Sequence, residues 1–365
     1  MGAESVRMRV LVIEPAGQLW GSERALLDMV ESVADVEFAV CCPPDGPLLQ
    51  ELFKRGIRAL PYFIAELHRK PRWRRLVAAF GVLRAIIAFR PDVLHVNQAG
   101  AYRVALSAAR LLRIPVVCHV RLFEDASYLA ARYPNPGRLK SIIAISSAIA
   151  EEIATFPALA SIPVHKIYDA YQPVNLPEAS GQRKQNLIVC AGRIAAVKGQ
   201  EVLLSALAHS VTFPLGTECV IAGNGEISYV AQLKQKAPEN ENVAIKWLGF
   251  IEDIFSVLRS AGVLACPSHR EPLGRVVFEA WNAGAVPVVF AGAGGSAEIV
   301  AAADGGLVYN EQTPECLADA LSKAMTLDCA EKDRLIANGR AWMKKQCAPE
   351  PYGRAVAAVL ERACD

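Results

Sequence analysis

The feature that most constrains this chain is a regular alternation of short apolar runs with longer stretches of helical periodicity. Val10-Leu11-Val12-Ile13 is apolar throughout, as a strand covered on both faces requires. The spacing predicts strands at residues 9–14, 37–41, 93–96, 115–120 and 141–145. Between them, residues 23–33, 48–55, 74–89, 102–112 and 147–155 carry apolar side chains at helical intervals. Such alternation builds a parallel sheet with helices on both faces.

The pattern breaks at 171–186, YQPVNLPEASGQRKQN, which is rich in turn-forming residues and poor in large apolar ones. A second series follows. Its predicted strands are 187–191, 219–222, 243–248, 263–267, 286–290 and 306–308. Its predicted helices are 199–208, 229–235, 255–260, 276–283, 296–302 and 314–325, and 351–364 reads as a last amphipathic helix. The expected organisation is a first α/β domain over 1–172, a linker over 173–186, a second α/β domain over 187–350 and the helix over 351–365. Two doubly wound domains facing each other form a cleft, and ligands of such sheets bind at the carboxyl ends of the strands.

At 365 residues the chain is long for one core, and 53% hydrophobic content supplies two. A net charge of +2 argues against a dedicated nucleic-acid binder. Residues 1–170 hold 21 Lys+Arg against 16 Asp+Glu, a balance of +5 that favours an anionic partner or surface as much as it does ordinary solvated charge. Ten cysteines without a CxxC pair point to a reducing compartment and no zinc site. The longest apolar stretch, residues 76–89, is 14 residues broken by Arg84, whereas a span needs roughly 20. The opening residues do not read as a signal peptide, because Glu14 ends the apolar run.

The sharpest chemical signal lies in the second series. After Val189-Cys190-Ala191 comes Gly192-Arg193-Ile194-Ala195-Ala196-Val197-Lys198-Gly199, two cations five positions apart at a strand-to-helix turn. Free backbone N–H groups there favour anions, and an Arg fork with a Lys point charge suits a diphosphate. Next is Pro267-Ser268-His269-Arg270-Glu271-Pro272-Leu273-Gly274-Arg275, with Glu279 a turn inside the helix that follows. A carboxylate at Glu279 can accept bonds from a diol, and Glu271 can reach a hexose. Gly223-Asn224-Gly225 and Gly249-Phe250 are further strand-end turns, the latter placed to meet a base edge. Each piece alone also fits an ordinary surface turn or a helix with an acidic first turn.

Taken in order, R-x4-K at Arg193/Lys198, the glycine turn at Gly223 and Gly225, Gly249, Pro267-Ser268 with E-x7-E at Glu271/Glu279, and Gly284 ahead of Pro287-Val288-Val289 resemble the donor domain of retaining GT-B glycosyltransferases, family 4 above all. The resemblance covers residues 187–310 strongly and the first domain weakly. It implies the GT-B fold, with a C-terminal helix crossing back to the first domain, and a hexose-type sugar moved from a UDP or GDP donor to an acceptor hydroxyl. Arg193 and Lys198 would stabilise the leaving diphosphate, amides at Leu273, Gly274 and Arg275 would hold phosphate, Glu271 would bind the hexose and Glu279 the ribose. No tightly bound cofactor and no metal are implied. Leu273 stands where the family often has Phe, and Trp281 where it often has Met.

In the first domain the resemblance places a glycine loop against the donor, with Gly17 and Gly21 as candidates. His119 ends a strand as in the family, but Val120-Arg121 follow in place of the usual Asp. It would contact the donor sugar or orient the acceptor, and residues 121–138 would form an acceptor loop. Residues 68–90, HRKPRWRRLVAAFGVLRAIIAFR, lack any acid and fit an anionic membrane surface or a basic-fronted helix packed on the sheet. The acceptor expected is a bacterial surface glycan or its lipid-linked precursor, on a cytoplasmic enzyme peripheral to the inner face of the membrane. A nucleotide-sugar epimerase, a hydrolase or a non-catalytic binder on the same frame remain as alternatives.

Overall fold

The computed structural model describes residues 7–63, 72–132, 138–174, 184–209, 213–239 and 241–365, with 72–75 and 132 as backbone only. The chain divides into two compact units, Met1–Gln172 with Gln346–Asp365, and Pro173–Lys345.

The first unit runs β1 (Met8–Ile13), α1 (Gly21–Ser32), β2 (Val36–Cys41), α2 (Pro47–Lys54), β3 (Arg58–Ala59), α3 (Arg72–Phe89), β4 (Val93–Val96), α4 (Tyr102–Leu112), β5 (Val116–Val120), α5 (Phe123–Arg132), β6 (Leu139–Ala144), α6 (Ser147–Ala154) and β7 (Val164–Lys166). Its sheet is parallel in the order β3-β2-β1-β4-β5-β6-β7. The second unit runs β8 (Lys184–Ala191), α7 (Gln200–Leu207), β9 (Thr217–Ala222), α8 (Ile227–Gln235), β10 (Val243–Gly249), α9 (Phe255–Leu258), β11 (Ala261–Cys266), α10 (Arg275–Ala283), β12 (Val286–Phe290), α11 (Gly295–Ala303), β13 (Leu307–Tyr309), α12 (Pro314–Thr326) and α13 (Cys329–Gln346). Its sheet order is β10-β9-β8-β11-β12-β13. The last helix, α14 (Pro349–Cys364), belongs to the first unit.

Both sheets start at a central strand, run outward one way, then return and run outward the other way. That is the doubly wound order, with its switch point between β1 and β4 in one unit and between β8 and β11 in the other. The central strands are apolar because helices cover both faces: Val10, Leu11, Val12 and Ile13 are all fully buried. In the first unit, Val10 and Val12 pack in one cluster with Leu26 and Leu27 of α1 and with Tyr352, Val356 and Leu360 of α14. In the second, Ile188, Val263 and Val288 pack with Leu203, Leu207, Leu317 and Leu321. Full burial of each Leu or Val is worth about 1.5–3 kcal/mol.

Three expectations change. The stretch 121–138, expected as a loop, contains helix α5, started by Asp125, whose carboxylate accepts bonds from the backbone N–H groups of Arg121 and Leu122 at 3.1 and 3.0 Å. Residues 184–186, expected as linker, begin β8, while 175–183 lie outside the described residues, as do His68–Pro71 and Tyr133. Finally, β3, β7 and α13 have no counterpart among the expected elements.

Candidate active site

In the second unit the loops at the carboxyl ends of five neighbouring strands are hydrogen-bonded into one rim. Gly223 N–H donates to the Gly249 carbonyl at 2.7 Å, tying the turn after β9 to the end of β10. Gly192 N–H bonds Ala222 O at 2.9 Å and Ile194 N–H bonds Asn224 O at 2.8 Å, with a parallel bridge from Ile194 to Gly225. His269 N–H donates to Val197 O at 2.9 Å, joining the turn after β8 to the one after β11. Glu271 is then held on both sides, its N–H on Ala293 O at 2.6 Å and its carbonyl accepting from Gly295 at 2.8 Å. The centre of this rim is the switch point of the sheet.

Arg193 and Lys198 sit on the β8 turn, Lys198 at the end of a short 3-10 turn, Ala196–Lys198. The Lys198 Nζ lies 2.6 Å from Glu271 Oε2, and Ser268 Oγ donates to the same oxygen at 3.2 Å. Arg193 is exposed, and its guanidinium has no hydrogen bond or ion pair among the described residues. Two side chains that the sequence did not single out fix the turns beneath. Buried Gln200 donates to Arg193 O at 3.1 Å and accepts from Ala195 N–H at 3.4 Å. Gln312 donates to Pro267 O at 2.5 Å and accepts from Tyr309 OH at 2.7 Å. Gly199, at φ 70°, lets the β8 turn meet the β11 turn: a Cβ there would stand 1.9 Å from Pro267 O.

Helix α10 opens on Gly274, at φ 87°, with no side-chain cap. Helix α7 opens on Gly199, also without one. By contrast α6 and α12 are capped by Ser146 and Thr313. Helices α2, α4 and α14 of the first unit also lack a side-chain cap, but α7 and α10 start at the rim, where first-turn N–H groups and the helix dipole favour an anion. Leu273 is buried under the turn, and half-buried Arg275 and Glu279 lie on α10. Phe250, just past β10, is 60% exposed. Trp281 packs inside, its Nε1 donating to Gly305 O at 2.6 Å.

The first unit carries a buried polar network at its own switch point. Glu14 follows β1, and Asn97 follows β4. Asn97 Nδ2 donates to Glu14 Oε2 at 2.6 Å, and Ala16 N–H to Glu14 Oε1 at 2.8 Å. Arg121 donates to Asn97 Oδ1 at 2.9 Å, pairs with Asp169 and lies 3.3 Å from His119 Nδ1. Burial, then repulsion from Glu23, pushes the Glu14 carboxyl from 4.5 up to about 8. Burial and then the Arg121 charge hold His119 well below its ordinary value, and His95, in edge contact at 5.5 Å, is lowered to about 3. His119 has no exposed surface. Gly21 is the first residue of α1, and the Gly17 carbonyl accepts from Leu48 N–H at 3.1 Å. For the Glu14–Asn97 bond the sequence signal was a carboxylate closing an otherwise apolar strand.

Among the described residues, no group of three His, Cys, Asp or Glu side chains is placed to hold a metal ion.

Two doubly wound parallel-sheet units are the architecture of the GT-B glycosyltransferases, and solved structures share this fold. Anabaena HepE in complex with UDP and glucose superposes with a TM-score of 0.81 at 22% identity, over 97% of this chain and 99% of that one. The sucrose-phosphate synthase of Thermosynechococcus elongatus gives 0.75 at 17% identity, over 98% and 99%. Residues 175–342 match the family described as Glycosyl transferases group 1, and residues 21–158 match the Glycosyl transferase 4-like domain. The chain belongs to this glycosyltransferase family and is a transferase. Among relatives, an uncharacterized glycosyltransferase of Methanocaldococcus jannaschii is 24% identical over 276 residues, 68% of this chain and 70% of that protein. A GDP-mannose-dependent monoacylated phosphatidylinositol monomannoside mannosyltransferase of Corynebacterium glutamicum is 27% identical over 56% of each chain. A D-inositol 3-phosphate glycosyltransferase of Xylanimonas cellulosilytica is 32% identical over 42% of this chain and 37% of its own.

Proposed function

We propose that this chain transfers a hexose-type sugar, with retention, from a UDP or GDP donor to an acceptor hydroxyl. The observation that carries this is the Lys198–Glu271 contact of 2.6 Å beside an exposed Arg193 on a rim of uncapped helix N-termini. In the proposed reaction the bond from the anomeric carbon to the diphosphate oxygen breaks, and its electron pair leaves on that oxygen. Arg193 and Lys198, with the amides of Leu273, Gly274 and Arg275, stabilise the charge that develops there, the term that usually contributes most. The acceptor oxygen bonds the anomeric carbon on the same face, and its proton passes to the departing phosphate. Glu271 orients the hexose, Glu279 the ribose, and the backbone at Phe250 and the Gly223–Gly225 turn the base. Gly17 and Gly21 let the first-unit loop approach the donor, and His119 positions groups through Arg121.

The acceptor proposed is a bacterial surface glycan or its lipid-linked precursor, reached at the cytoplasmic face of a membrane. Support comes from the Corynebacterium relative, whose acceptor is a phosphatidylinositol mannoside, and from the basic segment 68–90. The test uses a labelled UDP or GDP sugar. Label should pass to product only with acceptor present, and the new linkage should keep the donor's anomeric configuration. Release of free sugar or isomerised donor without acceptor would instead identify a hydrolase or an epimerase.

A further inference from the structure

Helices α3 and α4 connect β3 to β4 and β4 to β5, both crossings running the same way along the sheet. Right-handed crossovers therefore lay them side by side on one face. They pack on each other, α3 against β1 and β2 and α4 against β4 and β5. Their outer surface is unusual for a folded chain. Leu76, Phe80 and Ile87 are 71%, 69% and 62% exposed, and spacings of four and eleven residues put them on one stripe of α3. Leu111, near the end of α4, is 71% exposed as well. Adjoining large apolar side chains in water mark an interaction surface rather than scattered exposure.

The charge on the same two helices has one sign. They contain Arg72, Arg74, Arg75, Arg84, Arg103 and Arg110 and no acid. From Arg72 to Arg113 the lone carboxylate is Asp92, at the foot of β4, which accepts the Arg9 N–H at 2.8 Å. A protein partner would be expected to meet mixed charge. Exposed apolar side chains beside the exposed arginines Arg84 and Arg103 match the boundary of a membrane, where acyl chains lie beneath anionic headgroups.

We propose that the outer face of α3 and α4 docks this protein on an anionic lipid surface, with Leu76, Phe80, Ile87 and Leu111 entering the acyl boundary and Arg84 and Arg103 meeting the headgroups. This deepens the proposal of a lipid-borne acceptor by assigning the contact to a two-helix face that extends beyond segment 68–90. Sedimentation with vesicles of phosphatidylcholine, with and without phosphatidylglycerol, tests it. The full chain should sediment with the anionic vesicles, at least about tenfold more weakly with the neutral ones, and less as salt rises. Leu76→Glu with Phe80→Glu should cut anionic binding at least about tenfold, and so should Arg84→Gln with Arg103→Gln. All four positions are exposed, and neither pair should alter stabilisation by nucleotide, which shows that the variants fold. The proposal is overturned if the wild type ignores anionic vesicles, or if both double variants bind like wild type. It is also overturned if the apolar pair instead dissolves a dimer that does not bind vesicles. Loss of nucleotide stabilisation in the wild type would sink the donor assignment and leave this one standing.

Discussion

Lys198 and Glu271 are 73 positions apart in sequence and 2.6 Å apart in the fold. Their identity was legible because each stands in a local pattern, a cation after a strand or a carboxylate before a glycine turn. What holds them was not. Gln312 reaches Pro267 across 45 positions, and Glu14 meets Asn97 across 83, so no local spacing announces either bond. Glu14 also makes the clearest prediction for a single group. Its carboxyl rises from 4.5 to about 8 on folding, so between those values the unfolded chain releases a proton that the folded chain keeps. The stability it contributes is complete below 4.5 and is lost as pH rises to about 8. Asp125 acts with the same sign only up to about 6. His95, lowered from 6.5 to about 3, acts with the opposite sign below 6.5, where the unfolded ring gains a proton that the buried one refuses. The window from about pH 6.5 to 8 therefore isolates Glu14. Melting temperature against pH should fall across that window, and Glu14→Gln should flatten the fall without changing the limb below about pH 4.5. An unchanged slope would refute the assignment.

At the level of elements, the central strands and most helices were legible within a few residues, because burial on both faces forces unbroken apolar runs. The elements missed have physical reasons. Strands β3 and β7 are two and three residues long, too short to show a period. Helix α5 has only a short buried face, Phe123, Ala126 and Leu129, and its start is set by Asp125 against backbone N–H groups. Helix α13 is strongly polar, with few residues inside. Helix α14 and its return to the first unit were both expected, the second from the resemblance, and packing gives the reason: Tyr352, Val356 and Leu360 complete the core begun by Val10 and Leu26. Leu360→Ala should then destabilise the first unit by about 2–5 kcal/mol, the cost of a buried cavity, read as a lower denaturation midpoint at constant slope. An effect within about 0.5 kcal/mol would mean that the helix is peripheral to that core.

For the molecule as a whole, both units repeat one strand order, and in each a polar cluster sits where that order reverses. Strand-helix alternation made the two parallel sheets legible. The resemblance of the motifs, rather than any periodicity, pointed to a nucleotide sugar. The proposed donor site is the rim of the second unit, where Arg193 is exposed and its loss should cost the fold little. The most direct test is thermal denaturation of the wild type, Arg193→Ala and Lys198→Ala with UDP, GDP and their sugars. A UDP or GDP species at a hundredfold excess over Kd should raise the wild-type melting temperature by roughly 5–10 °C. In both variants the rise should be largely lost while the ligand-free melting temperature of Arg193→Ala stays near that of the wild type. If no nucleoside diphosphate stabilises the wild type, or if both variants respond as it does, the donor site is not where Arg193 and Lys198 stand.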